Sequence, residues 1–265
     1  MDRIAVNRRD AICAITISRP DRLNAIDDEM IRTLTRAFEE LASDATTRVV
    51  TISGEGSNFS SGGDIGNIAD WLSPEPEVRR DTFTKAVSTL SKPLALALQH
   101  VPQPVIASVR GHAIGVALQI VIMADIVVAS DTARFSLPQL DLAHTPDHGE
   151  SWALPRKVGM ARALQMALLA ERIDAATAER YGLVNFLVPD AELEARTTAI
   201  AGRIAASPPA ATRGAKALFN AAERQTLAEA LDGEIAMLGQ VTMQQDFVEA
   251  ITAFTQKRKP VFRGS

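Results

Sequence analysis

Three segments of this chain hold residues whose types and spacing suit chemistry on a carbonyl compound. Gly56-Ser-Asn-Phe-Ser-Ser-Gly-Gly-Asp64 and Arg110-Gly-His-Ala-Ile-Gly115 are glycine-bearing loops after apolar runs, and the second leads at once into another apolar run. Glycine lets a ligand approach the main chain closely and permits positive φ. A helix N-terminus offers unpaired N–H donors at the positive end of its dipole. Two such loops converging on one point would make an oxyanion hole. The third segment runs from Phe135-Ser-Leu-Pro-Gln139 through His144-Thr-Pro-Asp-His-Gly-Glu-Ser-Trp152 to Arg156. It sets Asp147, His148 and Glu150 in a Pro- and Gly-marked loop just before a helix. A carboxylate held by a rigid turn beside an apolar helix is a candidate general base. Neither glycine loop has the spacing of a dinucleotide or P-loop fingerprint.

Strands and helices must position these loops. Alternation predicts a strand over 11–18, with Cys13 as a small core residue, broken by Arg19-Pro20-Asp21. Asp27 can cap a helix to about Ser43, with Met30, Leu34, Phe38 and Leu41 on one face. Short strands are expected at 48–53, 104–109, 126–130 and 134–137, and a strand or extended segment at 183–188. A turn is expected at 111–115 and a buried helix at 116–123. Asp64 can start a helix. Pro74 to Glu77 reads as a mobile break, and 82–100 as one long helix with Pro93 as a kink or boundary. Helices at 161–170 and 175–181 follow, and the chain reads as almost entirely helical after 188. Strands alternating with helices over the first two thirds indicate an α/β fold.

Composition bounds the rest. The chain has 265 residues, 46% hydrophobic and 23% charged, so it is an ordinary globular sequence. Twenty-eight basic against 32 acidic residues leave a net charge of −4, a poor basis for nucleic-acid binding. One cysteine excludes a disulfide scaffold and a cysteine-based zinc site. No spacing suggests a metal. The longest apolar stretch, 113–129, contains Gln119 and Asp125 and reads as buried helix then strand rather than a membrane span. The N-terminal stretch reads as carrying no secretory signal, so a cytoplasmic location is expected.

Taken in order, these segments resemble the enoyl-CoA hydratase/isomerase, or crotonase, family. Ile17-Ser-Arg-Pro20 with Leu23-Asn-Ala25 is similar to the family's opening motif. Phe59-Ser-Ser-Gly-Gly-Asp64 is similar to its first oxyanion loop. Pro104 to Gly115, followed by Ala124-Asp-Ile126, is similar to the second. Ala178 to Asn185, ending Gly-Leu-Val-Asn, and Phe254 to Phe262 match two further signatures. The resemblance implies an α/β spiral of ββα units over 1–199 that binds acyl-CoA, with a helical oligomerisation region over 200–265 giving a trimer or dimer of trimers. It implies an acyl-CoA thioester as substrate, with coenzyme A part of that substrate and no separate cofactor, nucleic acid or membrane partner. It carries the oxyanion N–H groups to Gly63 and Val116. Valine stands where the family usually has glycine, and its side chain could narrow the site. Ser61, Asp64 and Ile65 fall near the CoA adenine and pantetheine, and Arg22 and Leu23 near the phosphates. Phe254 and Lys257 match positions that reach a neighbouring subunit's CoA.

The departures from the family point to the reaction. Family hydratases use two glutamates, and the matching positions here are Gln119 and Gln139. An amide can position water or the acyl chain but has no useful basicity near neutral pH. Asp147 matches the position of the acid in several isomerases of the family, and the residues around it resemble the branch associated with phenylacetate degradation. The expected activity is a double-bond shift in an enoyl-CoA, with Asp147 as acid and base and an enolate held by Gly63 and Val116. Two alternatives stand beside it: a hydratase with Asp147 and Glu150 as its acids, and a non-catalytic acyl-CoA binder. Trp71 and Trp152 are expected to pack, with Trp71 also able to line the acyl pocket. His112 is read as a packing residue or the rim of the CoA site.

Overall fold

The structure, a computed structural model, describes residues 3–264. A six-stranded sheet carries the order β1-β2-β3-β4-β6-β9. Its strands are β1 Ile4–Arg9, β2 Ile12–Ile17, β3 Val49–Gly54, β4 Val105–Val109, β6 Ile126–Ser130 and β9 Phe186–Val188. The β1–β2 pair is antiparallel, and every later pair in this sheet is parallel. β4 is buried at all five residues, as befits a central parallel strand covered on both faces. β2 alternates, with Cys13, Ile15 and Ile17 inward, and burial pushes the Cys13 thiol pKa up. β1 was not among the expected strands, since its charged end, Asn7-Arg8-Arg9, faces outward at the sheet edge.

A second, three-stranded sheet holds β5 His112–Ile114, β7 Arg134–Ser136 and β8 Ile173–Asp174, in the order β5-β7-β8. The expected turn at 111–115 is therefore mostly strand, and β8 had no counterpart in the expected elements. Segments of two or three residues carry too little alternation to be read from sequence; pairing with neighbours makes them strands.

One face of the large sheet is covered by α1 Asp28–Ser43, α4 Lys92–His100 and α5 Val116–Met123, which share the main apolar core. Asp27 caps α1, its carboxylate accepting the Met30 N–H at 3.0 Å. The helix expected from Thr82 begins earlier, as α3 Pro76–Ala86, and reaches α4 through a π-helical turn at Val87–Ser91. Pro93 lacks an N–H for the helical ladder, and the wider turn just before it absorbs the defect. Pro76 starts α3 where a break was expected, because proline is well suited to the first helical turn.

The remaining helices are α2 Ile65–Asp70, α6 Glu150–Val158, α7 Met160–Leu169, α8 Ala175–Tyr181, α9 Leu193–Ala205, α10 Pro209–Ala222, α11 Leu227–Thr242 and α12 Gln245–Thr255. α9 packs on the other sheet face, with Leu193 and Ala201 against Val49, Ile106 and Val128. The expected boundary between residues 199 and 200 thus falls inside α9, which belongs to the core on both sides of it. α10 is pinned to the core by Lys216, whose Nζ lies 2.6 Å from Asp125 and donates to the Gln103 carbonyl. Lys157 of α6 is half-buried with its Nζ 2.7 Å from the Ala124 carbonyl, and desolvation pulls its pKa down. No helix among the described residues is long and apolar enough to cross a membrane.

Candidate active site

The small sheet assembles the site. The 58–62 segment lies along β5: Phe59 N–H donates to the Arg110 carbonyl at 2.7 Å, and Ser60 N–H to the His112 carbonyl at 2.7 Å. Ile114 N–H returns a bond to the Ser60 carbonyl at 3.3 Å. The first glycine loop therefore runs beside β5 of the second, with Ser60 bridged to Ala113. Gly62 has φ +97°, and a Cβ there would sit 2.6 Å from the Ile114 carbonyl oxygen. Only glycine allows that approach.

On the far side of the first loop, Gly62 and Asp64 are tied to Ile26 by main-chain bonds of 2.8 and 3.0 Å. The Gly63 N–H between them donates to no acceptor among the described residues. Gly115 takes φ +56° and ψ −122°, turning the chain from β5 directly into α5. Val116 is then the first residue of α5, and its N–H also has no acceptor among the described residues. Its side chain is 2% exposed and packs into the main core.

The opening motif backs this frame. Leu23 and Asn24 both adopt left-handed backbone, with φ 51° and 56°. Asn24 is fully buried; its amide donates to the Glu55 and Asn58 carbonyls and its oxygen accepts the Arg19 N–H. Ser61 N–H donates to the Leu23 carbonyl at 2.9 Å, joining this turn to the first glycine loop. Arg22 and Leu23 are exposed on the turn. Asp64 caps α2 through Gly66 N–H, and Arg19 lies 2.7 Å from it, holding its carboxyl below the ordinary carboxylate range. Ile65 is exposed just beyond. Asn24 and Arg19 are structural residues that spacing alone did not single out. The tolerance of asparagine for left-handed backbone was the available signal.

β7 delivers the third segment. It pairs with β5, Ile114 opposite Ser136, so Gln139 lies three residues beyond the strand that adjoins the start of α5. Gln139 is buried, and its Nε2 donates to Glu150 Oε1 at 2.8 Å. Glu150, 1% exposed at the start of α6, accepts the His148 N–H on its other oxygen at 2.8 Å. Asp147 differs: its Oδ1 is buried without a hydrogen bond, and the His148 ring nitrogen Nε2 stands 3.5 Å from it. Gln119 is fully buried on α5, its Oε1 unpartnered, as are Gln139 Oε1 and His148 Nδ1. His112 is half-buried, and desolvation, with Arg172 and Arg134 nearby, lowers its pKa.

The described residues gather no group of three or more His, Cys, Asp or Glu that could hold a metal. Trp71 is half-buried and packs edge-to-face on Phe83, centroids 5.5 Å apart. Trp152 lies under the Arg156 guanidinium. Phe254 and Lys257 stand exposed on α12 and the turn after it, and α12 packs on α11. Within one chain they lie on the helical arm rather than on the elements carrying Gly63 and Val116.

The sequence model described as Enoyl-CoA hydratase/isomerase matches residues 7–265. The chain belongs to that family. A relative from Rhodobacter capsulatus named "Probable enoyl-CoA hydratase" is 36% identical over 256 residues, 96% of this chain and 95% of the relative. The 1,2-epoxyphenylacetyl-CoA isomerase of Escherichia coli K12 is 31% identical, over all of this chain and 99% of its own. The crystal structure of an enoyl-CoA hydratase from Bacillus anthracis superposes with a TM-score of 0.91 at 30% identity, both chains fully covered. The fold is thus the crotonase α/β fold with a helical C-terminal region, and the chain is an enzyme of the hydratase/isomerase superfamily. Its family includes relatives named for hydration and for isomerisation, so membership leaves the choice of reaction to residues such as Gln119, Gln139, Asp147 and Glu150.

Proposed function

We propose that this enzyme shifts a double bond of an enoyl-CoA thioester, with Asp147 as the single acid and base. One observation carries the reading. Of the two carboxylates in the acid loop, Glu150 has both oxygens engaged by N–H donors, whereas Asp147 keeps a buried oxygen without a hydrogen bond. A base needs a free lone pair within a protected site. Asp147 takes a proton from C2 of a 3-enoyl thioester, and the electron pair moves onto the thioester oxygen. The resulting dienolate is held by the Gly63 and Val116 N–H groups. Asp147 returns the proton to C4, leaving the conjugated 2-enoyl thioester. Loss of one such donor typically costs about 3 kcal/mol, or 10²–10³ in rate.

The 31% identical relative named 1,2-epoxyphenylacetyl-CoA isomerase supports isomerisation of a CoA thioester as the reaction class, and the amides at 119 and 139 weigh against two-carboxylate hydration. In the same reading Arg22, Leu23, Ser61, Asp64 and Ile65 border the CoA. Phe254 and Lys257 reach the CoA of a neighbouring subunit. Exposed apolar residues on the arm, among them Phe219, Ile235, Met243 and Phe254, support a trimer or dimer of trimers.

The test follows the conjugated thioester absorbance after 3-enoyl-CoA is added to wild type and to Asp147→Asn. Wild-type conversion and a loss of about 10²–10⁴ in the variant, with thioester binding retained, is the expected result. A variant that keeps most of its activity removes Asp147 as the base. Wild-type protein that only adds water to 2-enoyl-CoA overturns the isomerase reading.

A further inference from the structure

We infer that Glu150 is a positioning residue that fixes which end of the Gln139 amide faces the site; the inference rests on the proposed reading of that site. Glu150 is buried, with one oxygen on the His148 N–H and the other on the Gln139 Nε2, each at 2.8 Å. A carboxylate with both oxygens on N–H donors only accepts, so Gln139 has to turn its NH₂ toward Glu150. The Gln139 carbonyl oxygen is then the free end, and it is buried without a partner. An unpaired buried acceptor is costly and calls for a donor from outside the protein, a hydroxyl or a water beside the acyl group. The His148 bond also holds the peptide next to Asp147. One carboxylate thereby orients the amide at 139 and steadies the backbone that carries the base.

The substitution Glu150→Gln reverses this geometry while preserving shape. The His148 N–H keeps the new side chain's oxygen facing it, so its NH₂ points at Gln139. Gln139 must then flip to offer its oxygen and present NH₂ where an acceptor stood. The expected result is a fall in kcat of about tenfold or more with KM nearly unchanged, since an interaction is lost without loss of CoA contacts. Gln139→Met removes the amide at similar volume and should cause a comparable fall. In the Gln139→Met background, Glu150→Gln should change kcat by no more than about twofold, because residues acting through one another are not additive.

The inference is overturned by additive losses in the double variant, by full activity in Gln139→Met, or by a Glu150→Gln loss as complete as that of Asp147→Asn. That last outcome would make Glu150 an acid in its own right. If Glu150→Gln does not fold, Gln139→Met alone decides, since unchanged activity there leaves Glu150 nothing to orient. Wild-type protein without double-bond shift sinks the isomerase reading instead. The same variants are then compared in water addition to 2-enoyl-CoA, where the coupling decides the inference again.

Discussion

Around Gly63 the chain is held mainly by main-chain bonds, backed by the Asn24 and Asn58 side chains; around Asp147 it is held by side chains. Residues 58–64 are laced to β5 on one side and to Ile26 on the other through peptide groups. In the acid loop Gln139 and Glu150 hold each other, Glu150 holds His148, and Asp147 Oδ1 is left free. A frame of peptide groups persists through most changes of side chain, provided glycine stays where Cβ cannot fit and Asn24 keeps its main-chain partners. A frame of side chains changes its chemistry with each substitution. Such a frame lets the two N–H groups be kept while acids, amides and their partners change, and relatives named for hydration and for isomerisation both match this chain along nearly its whole length.

That contrast can be broken at three further places. The largest effect is expected from Gly62→Ala. Its Cβ would lie 2.6 Å from the Ile114 carbonyl oxygen at φ +97°, so a loss of at least about 3 kcal/mol is expected in urea unfolding. A near-neutral result would mean that the glycine loops have slack. Next is Asn24→Ala, which leaves the Glu55 and Asn58 carbonyls without their buried donor. A loss of about 1–3 kcal/mol is expected, together with weaker thioester binding if the proposed reading that sets Leu23 beside the CoA holds. Unchanged stability would place the support of the first loop elsewhere.

The smallest effect concerns Asp64. Its folded pKa lies below the ordinary 3.8, with Arg19 as the chief cause. The stability it contributes is present above the unfolded pKa and is lost as pH falls from about 3.8 through the folded value. Asp64→Asn should remove that part of the acid-induced loss, about 1 kcal/mol or less for a pair near the surface. Parallel acid unfolding of wild type and variant reads it. Identical acid limbs would show that the Arg19 pair adds nothing to the first loop.

Long or strongly patterned elements were legible in the sequence. α5 at 116–123, β6 at 126–130 and α8 at 175–181 stand where expected, and Asp27 caps α1. The family was legible too, because motifs such as Phe59 to Asp64 and Pro104 to Gly115 keep order and spacing. The short strands β5 and β8 were not, since their identity comes from pairing partners far along the chain. Asp147 was singled out as the acid from the resemblance, but the hydrogen bonds that occupy both Glu150 oxygens and leave Asp147 Oδ1 without one were not legible.

By itself the sequence determined the alternation of strands and helices, the glycines at close approaches, and amides in place of the glutamates at 119 and 139. Those are local properties of residue type and spacing. Only the tertiary structure decided that the first glycine loop lies along β5 of the second, that Val116 N–H opens a helix beside them, and that both Glu150 oxygens accept hydrogen bonds while Asp147 Oδ1 does not. Hydrogen-bond partners and burial depend on which distant segments meet, and no local pattern in the chain encodes that meeting.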